Sequence, residues 1–152
     1  MVMQKQFEIL NATRNNVLNS IKGLSLEQLN TVPKEFKNSI AWNVAHLVVT
    51  QQILCYKLAG LALNLEASFV DRFKKGSEAS DITQKDFAAI KAQLLDFPIK
   101  LEEDYAAGLF KNFNAYPTSY NVTLTSIEDA IQFNNVHEGL HFGYIMAMKK
   151  RM

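Results

Sequence analysis

The sequence predicts an all-α domain, a bundle of four long helices. Three observations carry that reading. Glycine and proline are scarce, six and three in 152 residues, too few for a turn-rich β fold. Four stretches repeat apolar residues at helical spacing. Between them, only one short stretch alternates in the manner of a strand. The chain is read as a single domain over 1–152, large enough to bury about 70% of its unfolded surface.

The first helix is expected over Met3 to Gly23. Phe7, Leu10, Val17, Leu18, Ile21 and Leu24 recur at helical spacing, Arg14 and Lys22 fall outside the strict stripe, and Gly23 supplies a stop. Ser25 can cap a short turn of helix to Leu29, inside a surface crossing that contains Pro33. The second helix starts at its N-cap Ser39 and runs to about Ala59. Ile40, Trp42, Val44, Leu47, Val48, Val49, Ile53 and Leu54 make it apolar nearly all round, so it is central. From Gly60 to Asp81 no period is sustained, which suits either a lid or pocket wall or packing between helices. The third helix opens at Thr83, with Asp86 placed for a capping box, and carries its apolar stripe to about Phe110. Pro98 predicts a kink or break near Leu94–Phe97. The second long gap, Lys111 to Thr125, contains Tyr120, Val122 and Leu124 in alternation, as in a short extended segment. The fourth helix begins at Thr125 or Ser126 and continues to the end, where Lys149, Lys150 and Arg151 suit the negative pole of its dipole. Gly139 and Gly143 on it would permit close approach of a neighbouring helix.

Composition narrows the function classes. Sixteen basic and fifteen acidic residues leave a net charge of +1, so no field favours nucleic acid. Met1 to Glu8 lacks the apolar core of a secretion signal, and no apolar run reaches membrane-spanning length. The lone Cys55 has no internal partner, which fits a reducing cytoplasm.

The chemistry concentrates in the fourth helix. His137 and His141 are four residues apart, about 6 Å along a helix and on one face, a spacing at which two imidazoles can bind one ion. His137-Glu138-Gly139-Leu140-His141 also matches the zinc-protease pattern H-E-x-x-H. Its context fails: only eleven residues follow His141, and the third ligand of that pattern is absent. The remaining histidine, His46, lies mid-way along the second helix. It is either a neutral core histidine bonded to a carbonyl or a third ligand facing the pair from an adjacent helix. Three histidines and a water would form an open site of catalytic type. Cys55, about 180° round the helix from His46, is read as core.

The block Ser39-Ile40-Ala41-Trp42-Asn43-Val44-Ala45-His46-Leu47 resembles the second-helix motif of the DinB-like family, DNA-damage-inducible metal-binding four-helix bundles. Phe133 to Tyr144 resembles that family's last-helix motif, and every histidine falls on a family ligand position. The resemblance implies an up-down-down-up bundle with long connections after the second helix and before the fourth. It implies a homodimer carrying a divalent ion such as zinc or nickel on His46, His137 and His141. Some relatives are thiol-dependent S-transferases or isomerases, so a small-molecule substrate with a low-molecular-weight thiol is expected. The family name gives no ground for DNA binding here.

Around that site, Asn134 and Tyr144 are spaced to look toward the ion, although Tyr144 also suits a core or interface position. Glu138 lies about 80° off the direction of the histidines. It is a candidate base, an orienter of an imidazole, or a solvated surface residue. Two functional classes remain open. In one, the protein is an enzyme, a metal-dependent transferase or hydrolase whose ion lowers the pKa of a bound water or thiol. In the other, it is a metal-binding stress or interaction protein without turnover. A cavity opening onto the ion would favour the first.

Overall fold

A computed structural model describes residues 2–152. Its elements in chain order are α1 (Val2–Ile21), α2 (Leu26–Asn30), α3 (Ile40–Gln51, continuing as a π-helical turn Gln52–Lys57), α4 (Ala67–Phe73), α5 (Gln84–Ala106), the two-residue strands β1 (Tyr116–Pro117) and β2 (Thr123–Leu124), and α6 (Ile127–Lys149). The long helices α1, α3, α5 and α6 form the bundle.

Side-chain contacts fix its topology. Gln6, Arg14 and Ser20 of α1 meet Asn135, Glu138 and Lys149 of α6 in that order, so these neighbours are parallel. Asn43 and His46 of α3 meet His141 and His137, the reverse order, so α3 is antiparallel to α6. Gln51 and Tyr56 meet Phe97 and Asp104 in register, so α3 and α5 are parallel. The order is therefore up-down-down-up. Parallel neighbours cannot be joined by a tight turn, which is why the connection from α3 to α5 is long.

Helix starts follow the expected caps. Ser25, Ser39, Thr83 and Ser126 each accept from the backbone N–H three residues on, and Thr83–Asp86 closes a capping box. The break expected at Pro98 does not occur. One missing N–H removes a single hydrogen bond from 23 residues, while Ile90, Leu94, Pro98 and Leu101 share the buried face and hold the helix to the bundle. The connection read as irregular contains α4, whose Phe73 is fully buried and anchors it.

Two further expectations change. Gly139 and Gly143 are exposed, with nothing within 4 Å of where a Cβ would stand, so they permit no close helix contact. The buried stripe of α6 runs through Ile127, Ile131, Asn134, Glu138, Ile145 and Met148, and the glycines lie off it. Arg14, set outside the apolar stripe of α1 on account of its charge, is completely buried.

The apolar core has two halves. One gathers Val17, Ile21, Ile40, Val44, Leu47, Val48, Phe73, Ile90 and Ile145; the other gathers Phe7, Leu10, Leu54, Leu101 and Ile131. Between them lies a polar layer. Arg14 donates to Glu138 through Nε and Nη2, both at 2.7 Å, and Nη2 also reaches the Leu47 carbonyl and Gln51 Oε1 at 3.1 Å. Gln51 Nε2 donates onward to the Phe97 carbonyl. One hydrogen-bonded layer thus ties all four long helices at a single level.

Candidate metal centre

His46 is carried by the most buried helix of the bundle, and His137 and His141 by successive turns of its neighbour α6. The antiparallel packing of these helices brings the rings together, with centroids 4.3 to 5.0 Å apart. Each can contribute one nitrogen to a set lying within 4.8 Å of one another. These three could hold a metal ion.

The hydrogen bonds around the rings decide which nitrogens face inward. His46 Nδ1 lies 2.6 Å from the Phe73 carbonyl oxygen, which only accepts. The proton is therefore on Nδ1, and the lone pair of Nε2 faces the cluster. Asn43 works the same way one step removed. Its Nδ2 donates to the Ser39 carbonyl at 2.8 Å, which turns Oδ1 toward His141 Nδ1 at 2.7 Å. His141 is thus protonated at Nδ1 and presents Nε2. His137 Nε2 lies 3.2 Å from His46 Nε2, while its buried Nδ1 has no protein partner. Two ligand nitrogens bound to one ion at about 2.1 Å each stand about 3.0–3.4 Å apart at octahedral to tetrahedral angles, so the His46–His137 spacing fits. Two of the three rings are held by acceptors on their outer nitrogen, the arrangement that orients imidazole ligands.

Burial governs the charge state. It is the largest cause holding His137 down to about 2, reinforced by the neighbouring His141 and His46. It also holds His141 down to about 4, and lowers His46 against the opposing pull of the Phe73 carbonyl. The rings are neutral at pH 7, with lone pairs available to a cation.

A cavity of about 1110 Å³ opens onto the cluster. Thr50 lines it, with Oγ1 3.2 Å from His46 Nε2. Trp42 stacks on His46 at 4.4 Å, and its Nε1 donates to Ser77 on the opposite wall at 2.9 Å. The segment after α4 is therefore pocket wall, one of the two roles its irregular sequence left open, while Phe73 before it takes the other by packing in the core.

Tyr144 lines the same cavity, half exposed, its ring 6.0 Å from that of His141. Glu138 is not brought to the cavity. Its side chain is fully enclosed and bound to Arg14, so it is not a solvated surface residue. Asn134 points to Glu138 at 3.3 Å rather than to the histidines. Cys55 stands apart from the cluster, and its thiol is pushed up chiefly by burial, then by the Glu138 charge.

Asn43, Thr50 and the Phe73 carbonyl were not singled out from sequence. Asn43 and Thr50 are three residues before and four after His46, so both share its helical face, a local signal that the Phe73 carbonyl lacks.

Residues 9–145 match the family model of the DinB superfamily, most of the chain. No curated protein matches it. Among the described residues no helix is long and apolar enough to cross a membrane.

Proposed function

The chain belongs to the DinB superfamily, and on that premise we propose that it is a metal-dependent enzyme acting on a small molecule. In this reading His46, His137 and His141 hold one divalent ion, zinc or nickel, and the reaction is a transfer or hydrolysis in which a low-molecular-weight thiol takes part. The observation that carries it is the cavity opening directly onto three neutral, inward-facing imidazoles. A non-catalytic metal store has no use for a space of that size beside its ion.

When bound, the ion would supply the charge that makes a water or thiol acidic at neutral pH. The chain supplies the rest. Asn43 and the Phe73 carbonyl hold two of the imidazoles in one tautomer. Thr50 and Tyr144 offer hydroxyls along the cavity, and Tyr144 is placed to exchange a proton with a ligand there. Glu138 serves as the partner of Arg14, which leaves its carboxylate committed within the core.

The reading includes a homodimer, supported by the exposed Val136, Leu140 and Met146 on α6. It also places the protein in the cytoplasm, where a thiol cosubstrate stays reduced.

The test is metal analysis of the purified protein, together with assays against a panel of thiols and electrophiles. One zinc or nickel per chain is expected in the wild type and none in His141→Ala, with turnover lost alongside the ion. A wild-type protein that retains no divalent ion, or a His141→Ala variant that retains it, would overturn the proposal.

A further inference from the structure

Lys75 occupies a fixed place on the cavity wall with its charge unused. Two residues before it, the Phe73 carbonyl is bound to His46 Nδ1 at 2.6 Å. Two residues after it, Ser77 Oγ accepts from Trp42 Nε1 at 2.9 Å and itself donates to the Arg72 or Lys74 carbonyl at 2.8 Å. The anchors Trp42 and His46 are stacked on each other. Between these ties the chain turns at Gly76, whose φ of +85° suits glycine. The backbone at Lys75 is therefore pinned at both ends to the helix that carries the first histidine.

The neighbouring basic residues are engaged: Arg72 with Asp86, Lys74 with Asp71. Lys75 has no ion-pair partner among the described residues. It is nevertheless close enough to act on the cluster. After burial, which dominates, its charge is among the effects that hold His46 and His137 down, and no carboxylate is among those effects. Glu138 is committed to Arg14, and of the carboxylates on the cavity wall Glu35 lies 3.9 Å from Arg151 while Glu78 has no ion-pair partner among the described residues. A divalent ion on three neutral rings would thus share this end of the cavity with the Lys75 charge, while Glu35 and Glu78 line the wall without being among the effects on His46 or His137.

We propose that Lys75 determines specificity by binding a second anionic group, a carboxylate, on the small molecule whose first anionic group meets the histidine site. The substrate class is then a carboxylate-bearing thiol or a similar dianion, rather than a neutral or cationic one. This rests on the metal-site reading above.

The probes are 3-mercaptopropionate and its uncharged amide, titrated into cobalt(II)-loaded protein and followed by the thiolate-to-cobalt absorption band. Wild type should bind the acid roughly fivefold more tightly than the amide, the scale of one partly solvated charge pair, and the preference should shrink at high salt. Lys75→Gln should bind both equally, and Lys75→Arg should restore the preference. Lys75 is exposed, so neither substitution threatens the fold. Equal binding in the wild type overturns the inference and leaves the metal-thiol reading intact. A preference that survives in Lys75→Gln also overturns it, by placing the carboxylate on the ion. A protein that takes up no cobalt, or shows no band with either probe, removes the metal-thiol reading and this inference with it.

Discussion

His137 and Glu138 are consecutive residues of α6 with opposite surroundings. Glu138 looks into the bundle and is bound by Arg14 through two 2.7 Å hydrogen bonds, with both side chains wholly enclosed. His137 looks toward α3 and meets only other imidazoles, with its Nδ1 unpartnered and a large cavity beside it. One polar set has its charges matched within the protein, although Arg14 Nη1 and Asn134 Oδ1 lack partners; the other is a group of neutral rings beside open space. The difference separates a structural polar cluster from a functional one. Internal charge balance marks the first, and uncompensated donors facing open space mark the second.

The contrast breaks most visibly at Arg14. Arg14→Met would leave the Glu138 carboxylate buried without its counter-charge and should cost about 3–5 kcal/mol in equilibrium urea unfolding. The double variant Arg14→Met, Glu138→Leu should recover most of that loss, since no buried charge remains. His137→Leu, measured without metal, removes a neutral ring and should cost less than about 1.5 kcal/mol. Comparable losses from Arg14→Met and His137→Leu would erase the distinction between the two faces.

A second measurement sharpens the functional side. Asn43 touches His141 and not the cavity centre, so Asn43→Ala should weaken metal binding about 10- to 100-fold in a chelator competition, with the fold retained. Unchanged affinity would mean that the packing of α6 alone orients His141.

These two faces were not equally legible in the sequence. The histidines stand out because imidazoles are rare and the i, i+4 spacing dictates a shared helical face whatever the tertiary structure. The bundle was legible for a similar reason: apolar stripes and caps are local signals, and they placed all four long helices. The Arg14–Glu138 pair was hidden because each charge, read singly, suggests solvent. Yet Phe7, Leu10, Arg14, Val17 and Ile21 keep the spacing of one stripe, as do Ile131, Asn134, Glu138 and Ile145. Opposite charges, one on the apolar stripe of each of two helices, are a signal that can be read in advance. The Phe73 carbonyl carried no such signal, because its role depends on where α4 docks. Gly139 and Gly143 misled for the converse reason: small residues allow close contact but do not create it.

The smallest expected effect concerns pH, and it tests whether the histidine face is truly free of partners. In the unfolded chain the three imidazoles titrate near 6.5. In the folded, metal-free protein burial depresses all three, His141 to about 4 and His137 to about 2. Between those values and 6.5 the unfolded chain takes up protons that the folded one refuses. Stability is therefore full above about 6.5 and declines as pH falls, by about 1 kcal/mol for each of His137 and His141 over the first pH unit once residual solvent screening is allowed for. A saturating divalent ion should move the onset of that decline to lower pH, because it binds only the folded, neutral rings. In a series of unfolding curves from pH 7.5 to 5, His141→Ala should lose a clear part of the decline in the metal-free protein and all of its displacement by metal. A decline that is the same with and without the ion would place the titrating groups elsewhere than on the face of α6 that carries His137.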